Sequence, residues 1–402
     1  MSENTNTKKL SNISLFLIYS GAAISIAEIV TGAILAPLGF LKGVSAIITG
    51  HLIGGILLYL AAVMGSVMKK PAMECTRFSF GIFGSYLFSA CNILQLVGWT
   101  AIMMIQGSAV FDQISLMVYG YSNPVLWMII IASGICVWLI LLSRHFSIIN
   151  STVVLLLLTL CITIGYRLFH TYAFSSAGAG EQTLTFWQGV ELNIAMCLSW
   201  LPLIADYTQH ARSKYAGPLG SVIGYTVVGS GMFTLGLALA LSTNVADLAG
   251  MLVLSGLTVG SLFIVLFSTV TTTYLDVYSA CDSLVNIYPV KRKNLMSIFL
   301  CVFSLLLALF LPMEGIEPFL YGIGSVFAPL YAILFTDYFL LRSRSKEKRK
   351  WSVNNLCLWI SGFILYHVMQ NVVAGASSSI LIFIIVSAGS IVLSRFSPEE
   401  KS

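Results

Sequence analysis

The chain has 402 residues, of which 57% are hydrophobic and only 9% charged. Soluble domains carry about a quarter charged residues, so a water-soluble enzyme or binding module is excluded and an integral membrane protein is indicated. The formal net charge of +5 at pH 7 is no sign of nucleic-acid binding, because its distribution along the chain explains it better.

Residues 1–14 form a polar tail, "MSENTNTKKLSN" followed by the first apolar residues, with Lys8 and Lys9. The apolar run after it is too long for the core of a secretory signal and no small-residue cleavage site follows, so it is expected to remain in the mature chain. Stretches near 20 apolar residues are membrane-spanning candidates. Twelve are expected, at 15–38, 43–68, 82–111, 124–143, 147–169, 188–209, 216–243, 253–283, 295–313, 317–341, 353–373 and 378–395, with a tail at 396–402. Alternate loops gather every Lys and Arg except Lys42 and Arg167 on one side. The positive-inside rule then puts both termini in the cytoplasm of a plasma (inner) membrane protein. The "RSRSKEKRK" loop (342–350) is expected to be topogenic and to face lipid headgroups. The eight Cys occur singly, without C-x-x-C pairs or metal spacing, and are expected to be small core residues.

Charges at membrane depth require explanation. In span 1, "GAAISIAEIVTG" (21–32) carries Glu28 among apolar neighbours, with Ser25, Thr31, two glycines and Pro37 nearby, so the helix is weakly specified there and a break is expected. Span 3 holds Gln95 and Trp99 four residues apart, an amide beside an aromatic plane on one face. Span 6 reads "LSWLPLIADYTQHAR" (198–212), where Ser199 and Trp200 offer a hydroxyl and a second plane and Pro202 suggests a second break. Span 8, "FSTVTTTYLDVYSACDS" (267–283), concentrates hydroxyls and places Asp276 at mid-membrane. Asp206 and Asp337, close before Arg212 and Arg342, are read as helix-end charges pairing with an arginine, and Asp282 as interfacial too. Trp127, Trp138, Trp187, Trp351 and Trp359 are read as interface anchors or core filler.

Broken segments at matching places in two halves point to an inverted-repeat transporter with a midplane site. Two indoles, an amide, a hydroxyl and one or two carboxylates describe a slot for a flat, hydrogen-bonding heterocycle. Freed carbonyls in span 1 and hydroxyls in span 8 suit Na⁺. The carboxylates suit H⁺, so the coupling ion stays open between the two. A membrane enzyme finds only Asp206 and His210 as a faint acid–base pair, with no nucleophile or metal motif.

Three segments in order, "TRFSFGIFGSY", "QLVGWTAI" and "LSWLPLIADYTQH", resemble the nucleobase:cation symporters that include cytosine permease and the allantoin and hydantoin transporters. "GAAISIAEIVTGAILAPLGFLKG" and "LQLVGWTAIMMIQG" are similar to the branch identified with hydroxymethylpyrimidine, the thiamine pyrimidine precursor. The resemblance implies an all-α, leucine-transporter-like fold of twelve helices: inverted five-helix repeats at 15–170 and 188–341, helices 1 and 6 discontinuous, and two additional helices at 353–395. It also implies a secondary transporter with no cofactor, a small heterocycle and the lipid bilayer as partners, and a monomer. Carried over residue by residue, the cation site falls on the carbonyls of Gly21 and Ile24 and the hydroxyls of Thr271 and Thr272. The substrate site falls on Trp99, Ser199, Trp200 and Asp276, with Ser25, Glu28 and Gln95 beside them.

Two departures from the cytosine carriers stand out. Leu96 takes the glutamine place of span 3 and Gln95 precedes it, a rotation of about 100° on a helix. Asp276 replaces an asparagine, and Glu28 stands where those carriers are neutral. A protonated carboxyl could match the amino and ring-nitrogen edge of a 4-aminopyrimidine with its C=O and O–H, whereas an ionised one would favour the ring-protonated form. Proton coupling is the rival role for Glu28.

Overall fold

The computed structural model describes residues 9–141, 146–171, 184–243, 258–310, 315–342, 345–372 and 376–396, which are helical apart from their connections and one isolated parallel bridge, Leu10 to Ala211. Lys8, Arg144, Arg344, Lys401 and the stretches 142–143, 253–257, 311–313 and 373 of the expected spans lie outside the described residues. Helices α1 (Asn12–Ala23) and α2 (Ile26–Ile34) are followed by α3 (Phe40–Met68), the short α4 (Ala72–Cys75), α5 (Arg77–Tyr119), α6 (Pro124–Leu141) and α7 (Phe146–Thr171). After these come α8 (Phe186–Thr208), α9 (Ala216–Thr243), α10 (Thr258–Ile287), α11 (Lys293–Phe310), α12 (Ile316–Phe335), α13 (Val353–Val372) and α14 (Ser378–Phe396).

Among the described residues eight helices are long and apolar enough to cross a membrane, and nine if the bent pair α1–α2 is one span. The other expected spans coincide with α6, which is shorter, and with α10 and α13. Large apolar side chains point outward on α6, α7 and α11, for example Ile129, Leu156 and Phe303, while Glu28, Glu191, Asp206 and Asp276 are buried. This inside-out distribution is the one a lipid solvent selects.

The helices pack in two groups. One joins α1 and α2 to α9, and α3 to α8 and α9; the other joins α5 to α6, α10 and α11. Close approach within the first group relies on missing side chains: a Cβ on Gly32 would lie 2.1 Å from the carbonyl of Phe233, and one on Gly236 1.9 Å from that of Ile29. Helices α12, α13 and α14 pack on one another and against α8.

The expected break in span 1 is present, a 55° bend. Ile24 (φ −86°, ψ 87°) and Ser25 (φ −138°, ψ 160°) leave the helical region, and Ser25 caps α2 by accepting from the Glu28 amide at 3.3 Å. The expected break at Pro202 is absent: α8 runs unbroken through it. The proline removes one helical bond, the one to the Leu198 carbonyl, and the packing of α8 on α3 holds the helix in line. Here Asn92 Nδ2 of α5 donates to the Pro202 carbonyl at 3.3 Å and Gln95 Nε2 to that of Ser199 at 3.0 Å.

The Lys- and Arg-rich end differs from expectation in detail. Asp206 does not pair with Arg212; its Oδ1 accepts from the Ala72 amide, the first of α4, at 2.8 Å, and its Oδ2 from the Ser279 hydroxyl of α10. Asp337 pairs with Lys346 at 3.8 Å instead of Arg342 and also accepts from Asn355 Nδ2 at 2.9 Å. Asp282 pairs with Lys293 at 2.5 Å. The basic loop does not simply face headgroups. Gly81 of α5 adopts φ 75°, which interrupts the helix, and the amides of Ile82 and Phe83 turn to the carbonyls of Arg349 and Lys350 at 3.0 and 2.9 Å. All eight cysteines are free, four of them buried.

Candidate functional site

Between the two helix groups lies a narrow slot with a cavity volume of about 20 Å³. Ser25, Ala27 and Glu28 line it from the α1–α2 junction and the start of α2, and Met196, Ser199 and Trp200 from α8; across from them stand Trp99 and Met103 of α5 and Thr272 and Asp276 of α10. The bend in span 1 puts the carboxylate there. Ser25 opens α2, so Glu28 falls in the helix's first turn, where the exposed amide end favours a negative group.

Both oxygens of Glu28 are engaged. The Ser25 hydroxyl donates to Oε2, and the Tyr225 phenol of α9 donates to Oε1 at 3.2 Å. Tyr225 is fully buried and its ring lies 5.5 Å from that of Trp200, which also meets Tyr19 edge-on at 6.2 Å. Trp99 is held edge-on by Phe319 at 5.1 Å. Both slot tryptophans are therefore fixed by aromatic neighbours, and Trp99 Nε1 and Thr272 Oγ1 are buried polar atoms without a protein partner. Buried orphan donors are costly unless a ligand or water meets them. Among the described residues Asp276 makes no hydrogen bond, and no Lys, Arg or His lines the slot.

Of the residues singled out from sequence for substrate, Ser25, Glu28, Trp99, Ser199, Trp200 and Asp276 line one slot. Gln95 does not: its amide nitrogen bonds Asn92 Oδ1 at 2.8 Å and the Ser199 carbonyl, fastening α8 to α5 just beside the slot. Of those singled out for a cation, Thr272 lines the slot, whereas Thr271 donates back to the Phe267 carbonyl at 2.8 Å. Gly21 accepts the Ile24 amide at 3.1 Å and packs on Val154, and Ile24 is buried at the bend.

Sequence reasoning missed Tyr225, Asn92, Met103, Met196 and Glu191. Glu191 of α8 accepts from Tyr366 Oη of α13 at 2.7 Å, from the Ser377 hydroxyl and from the Ser379 amide and hydroxyl at the start of α14. It anchors the last two helices to the one that carries Ser199 and Trp200. Its position inside an apolar segment was the available signal.

A family model described as a permease for cytosine/purines, uracil, thiamine and allantoin matches residues 2–355. The cytosine permeases of Escherichia coli O157:H7 and of Escherichia coli strain K12 are each 23% identical over 359 residues, covering 84% of this chain and 82% of theirs. Mhp1, a nucleobase-cation-symport-1 family transporter, in a closed conformation with bromovinylhydantoin bound, matches with a TM-score of 0.81 at 17% identity over 97% of this chain and 94% of that one. A Na⁺-coupled sialic acid symporter in its substrate-bound outward-open state gives 0.68 at 14% identity, covering 97% of this chain and 91% of that one. At these identities the solved structures show a common fold.

Proposed function

The chain belongs to the family of permeases for cytosine and purines, uracil, thiamine and allantoin, and from that membership we propose that it imports a pyrimidine-type heterocycle, hydroxymethylpyrimidine foremost, by cation-coupled alternating access. It is a multi-pass membrane transporter and no enzyme, as its relatives are. The finer architecture belongs to the same proposal: twelve spans, with inverted repeats at 15–170 and 188–341, additional helices at 353–395, and both termini in the cytoplasm of the plasma membrane.

The observation that carries this reading is the slot itself, where two fixed indoles and two carboxyl groups meet between two separately packed helix groups. Indole faces hold a flat ring, and carboxyl edges select an amino group beside a ring nitrogen. Glu28, already in the place of a helix cap, takes the amino edge, with Asp276 across from it. Ala27, Met103 and Met196 give an apolar wall suited to a ring methyl group. Rocking of one helix group against the other requires breaking the ties on one side of the slot, from Asn92 to Pro202, Gln95 to Ser199 and Ser279 to Asp206.

A second reading, cytosine, a purine or an allantoin- or hydantoin-type substrate, is favoured by the cytosine permease relatives and by the unpartnered Trp99 Nε1, a donor that a ring carbonyl would satisfy. Thermal unfolding of the detergent-purified protein decides between the two. A ligand of the native state at a hundred times its Kd stabilises by about 2.7 kcal/mol. Hydroxymethylpyrimidine, cytosine, adenine, allantoin and thiamine are compared with and without Na⁺. A rise in Tm with hydroxymethylpyrimidine supports the first reading. A rise with cytosine or a purine alone keeps the family and replaces the substrate.

A further inference from the structure

Glu28 and Asp276 are two acids in one slot, yet their surroundings differ. Glu28 lies in the first turn of α2 and accepts one hydroxyl on each oxygen. Asp276 is buried in the interior of α10, where no helix end opposes its charge, and among the described residues no donor reaches it. Among the described residues the titratable side chain bonded to the pair from a packed element is Tyr225 on α9, while Cys197 of α8 lies against Gly54 of α3. His51 of α3 is turned to the Ile47 carbonyl and to Phe233 and does not line the slot. Farther along, Asp206 is bonded to Ser279 and Ala72, and Asp282 to Lys293. Two ionised carboxylates here would have no compensating cation from the protein, and like charges sharing a low-dielectric site do not both ionise.

We propose that Glu28 and Asp276 form a one-proton site, in which Asp276 holds the proton while Glu28 remains a carboxylate, and that this proton is the coupling ion. The inference rests on the slot being the transport site, as proposed above, and selects H⁺ over Na⁺. In the outward-open state one proton from water adds to an Asp276 carboxylate oxygen. The resulting O–H donates to a ring nitrogen of the substrate, and the Glu28 carboxylate accepts from the exocyclic amino group. Water entering the slot in the inward-open state hydrates both acids, so substrate and proton leave together and Asp276 becomes a carboxylate until it is protonated again from the outside.

The full-length protein is reconstituted into sealed liposomes that enclose a pH-indicator dye, in Na⁺-free buffer, and labelled hydroxymethylpyrimidine and labelled cytosine are each added outside. The account expects the lumen to acidify in step with label entry, at about one proton per molecule, and an acid-outside gradient to drive accumulation. Asp276→Asn is expected to lose the acidification; because protons per molecule entered is the readout, a slow variant still reports. Label entry without acidification, entry that requires a Na⁺ gradient, or an Asp276→Asn protein that acidifies as the wild type does, overturns the proposal and leaves the transport reading standing. Failure of the wild type to exchange either label across the membrane, with or without Na⁺, overturns the transport reading itself and the proposal with it.

Discussion

Tyr225 donates its phenolic hydrogen to Glu28 Oε1 at 3.2 Å, joining α9 to the first turn of α2 across 197 residues of sequence. The bond orients the carboxylate whose other oxygen is held by Ser25. A buried hydrogen bond to a charged group contributes about 1.5–3 kcal/mol. Tyr225→Phe is therefore expected to weaken substrate binding by about tenfold to a hundredfold while leaving the ring packing on Trp200 intact. Equilibrium binding of labelled substrate checks this. An unchanged Kd would mean that the phenol does not position Glu28.

The α2–α9 contact requires bare backbone. Gly236→Ala would drive a methyl group to within 1.9 Å of the Ile29 carbonyl, so the two helices must separate. Overpacking of this kind costs about 1–3 kcal/mol, read as a lower Tm and reduced substrate affinity, because Glu28 moves with α2. Gly231→Ala lies on the same helix with nothing within 4 Å of the new atom, and it is expected to leave both unchanged.

Lys346 and Asp337 form a buried ion pair at 3.8 Å at the Lys- and Arg-rich end, with side chains only 7% and 4% exposed. Removing one partner of such a pair costs about 3–5 kcal/mol, because the other charge stays buried. Lys346→Met is expected to destabilise strongly and Lys346→Met with Asp337→Asn to recover much of the loss, as measured by thermal unfolding of the two proteins.

Ser279 and Asp206 tie α10 to α8 one turn beyond Asp276. Ser279→Ala removes one donor from a buried carboxylate, a cost of about 1–3 kcal/mol, and loosens the contact between the helix groups at that end. Labelling of a cysteine introduced at Thr272 by a membrane-impermeant thiol reagent, applied from the side of the basic loops, is expected to speed up in Ser279→Ala. An unchanged labelling rate would show that this tie does not close the slot.

Much of the site is legible in sequence because it violates what lipid allows. Glu28 and Asp276 are expensive at membrane depth, and Trp99, Ser199 and Trp200 lie on helices whose neighbours are small or apolar. Ser25 and Glu28 even spell the Ser-x-x-Glu signature of a helix start, which is how the bend is built. Other features depend on partners distant in sequence. A mid-helix tyrosine such as Tyr225 reads as apolar bulk until its partner 197 residues away is known. Pro202 reads as a break because the helix that α8 packs on around it, α3, comes from a distant part of the chain. The partners of Asp206 and Asp337 are hidden from the sequence for a related reason. The nearest arginine in sequence is not the nearest donor in space when Ala72, Ser279 and Lys346 converge from separate loops and helices.

The most direct measurement is accumulation of labelled hydroxymethylpyrimidine in liposomes containing the full-length protein, under inward gradients of H⁺ and Na⁺. The account predicts an internal concentration above the external one, falling to equality when the gradients are collapsed and lost when Trp200 is replaced by Ala. Uptake that never rises above the external concentration, or that is indifferent to Trp200→Ala, would contradict it.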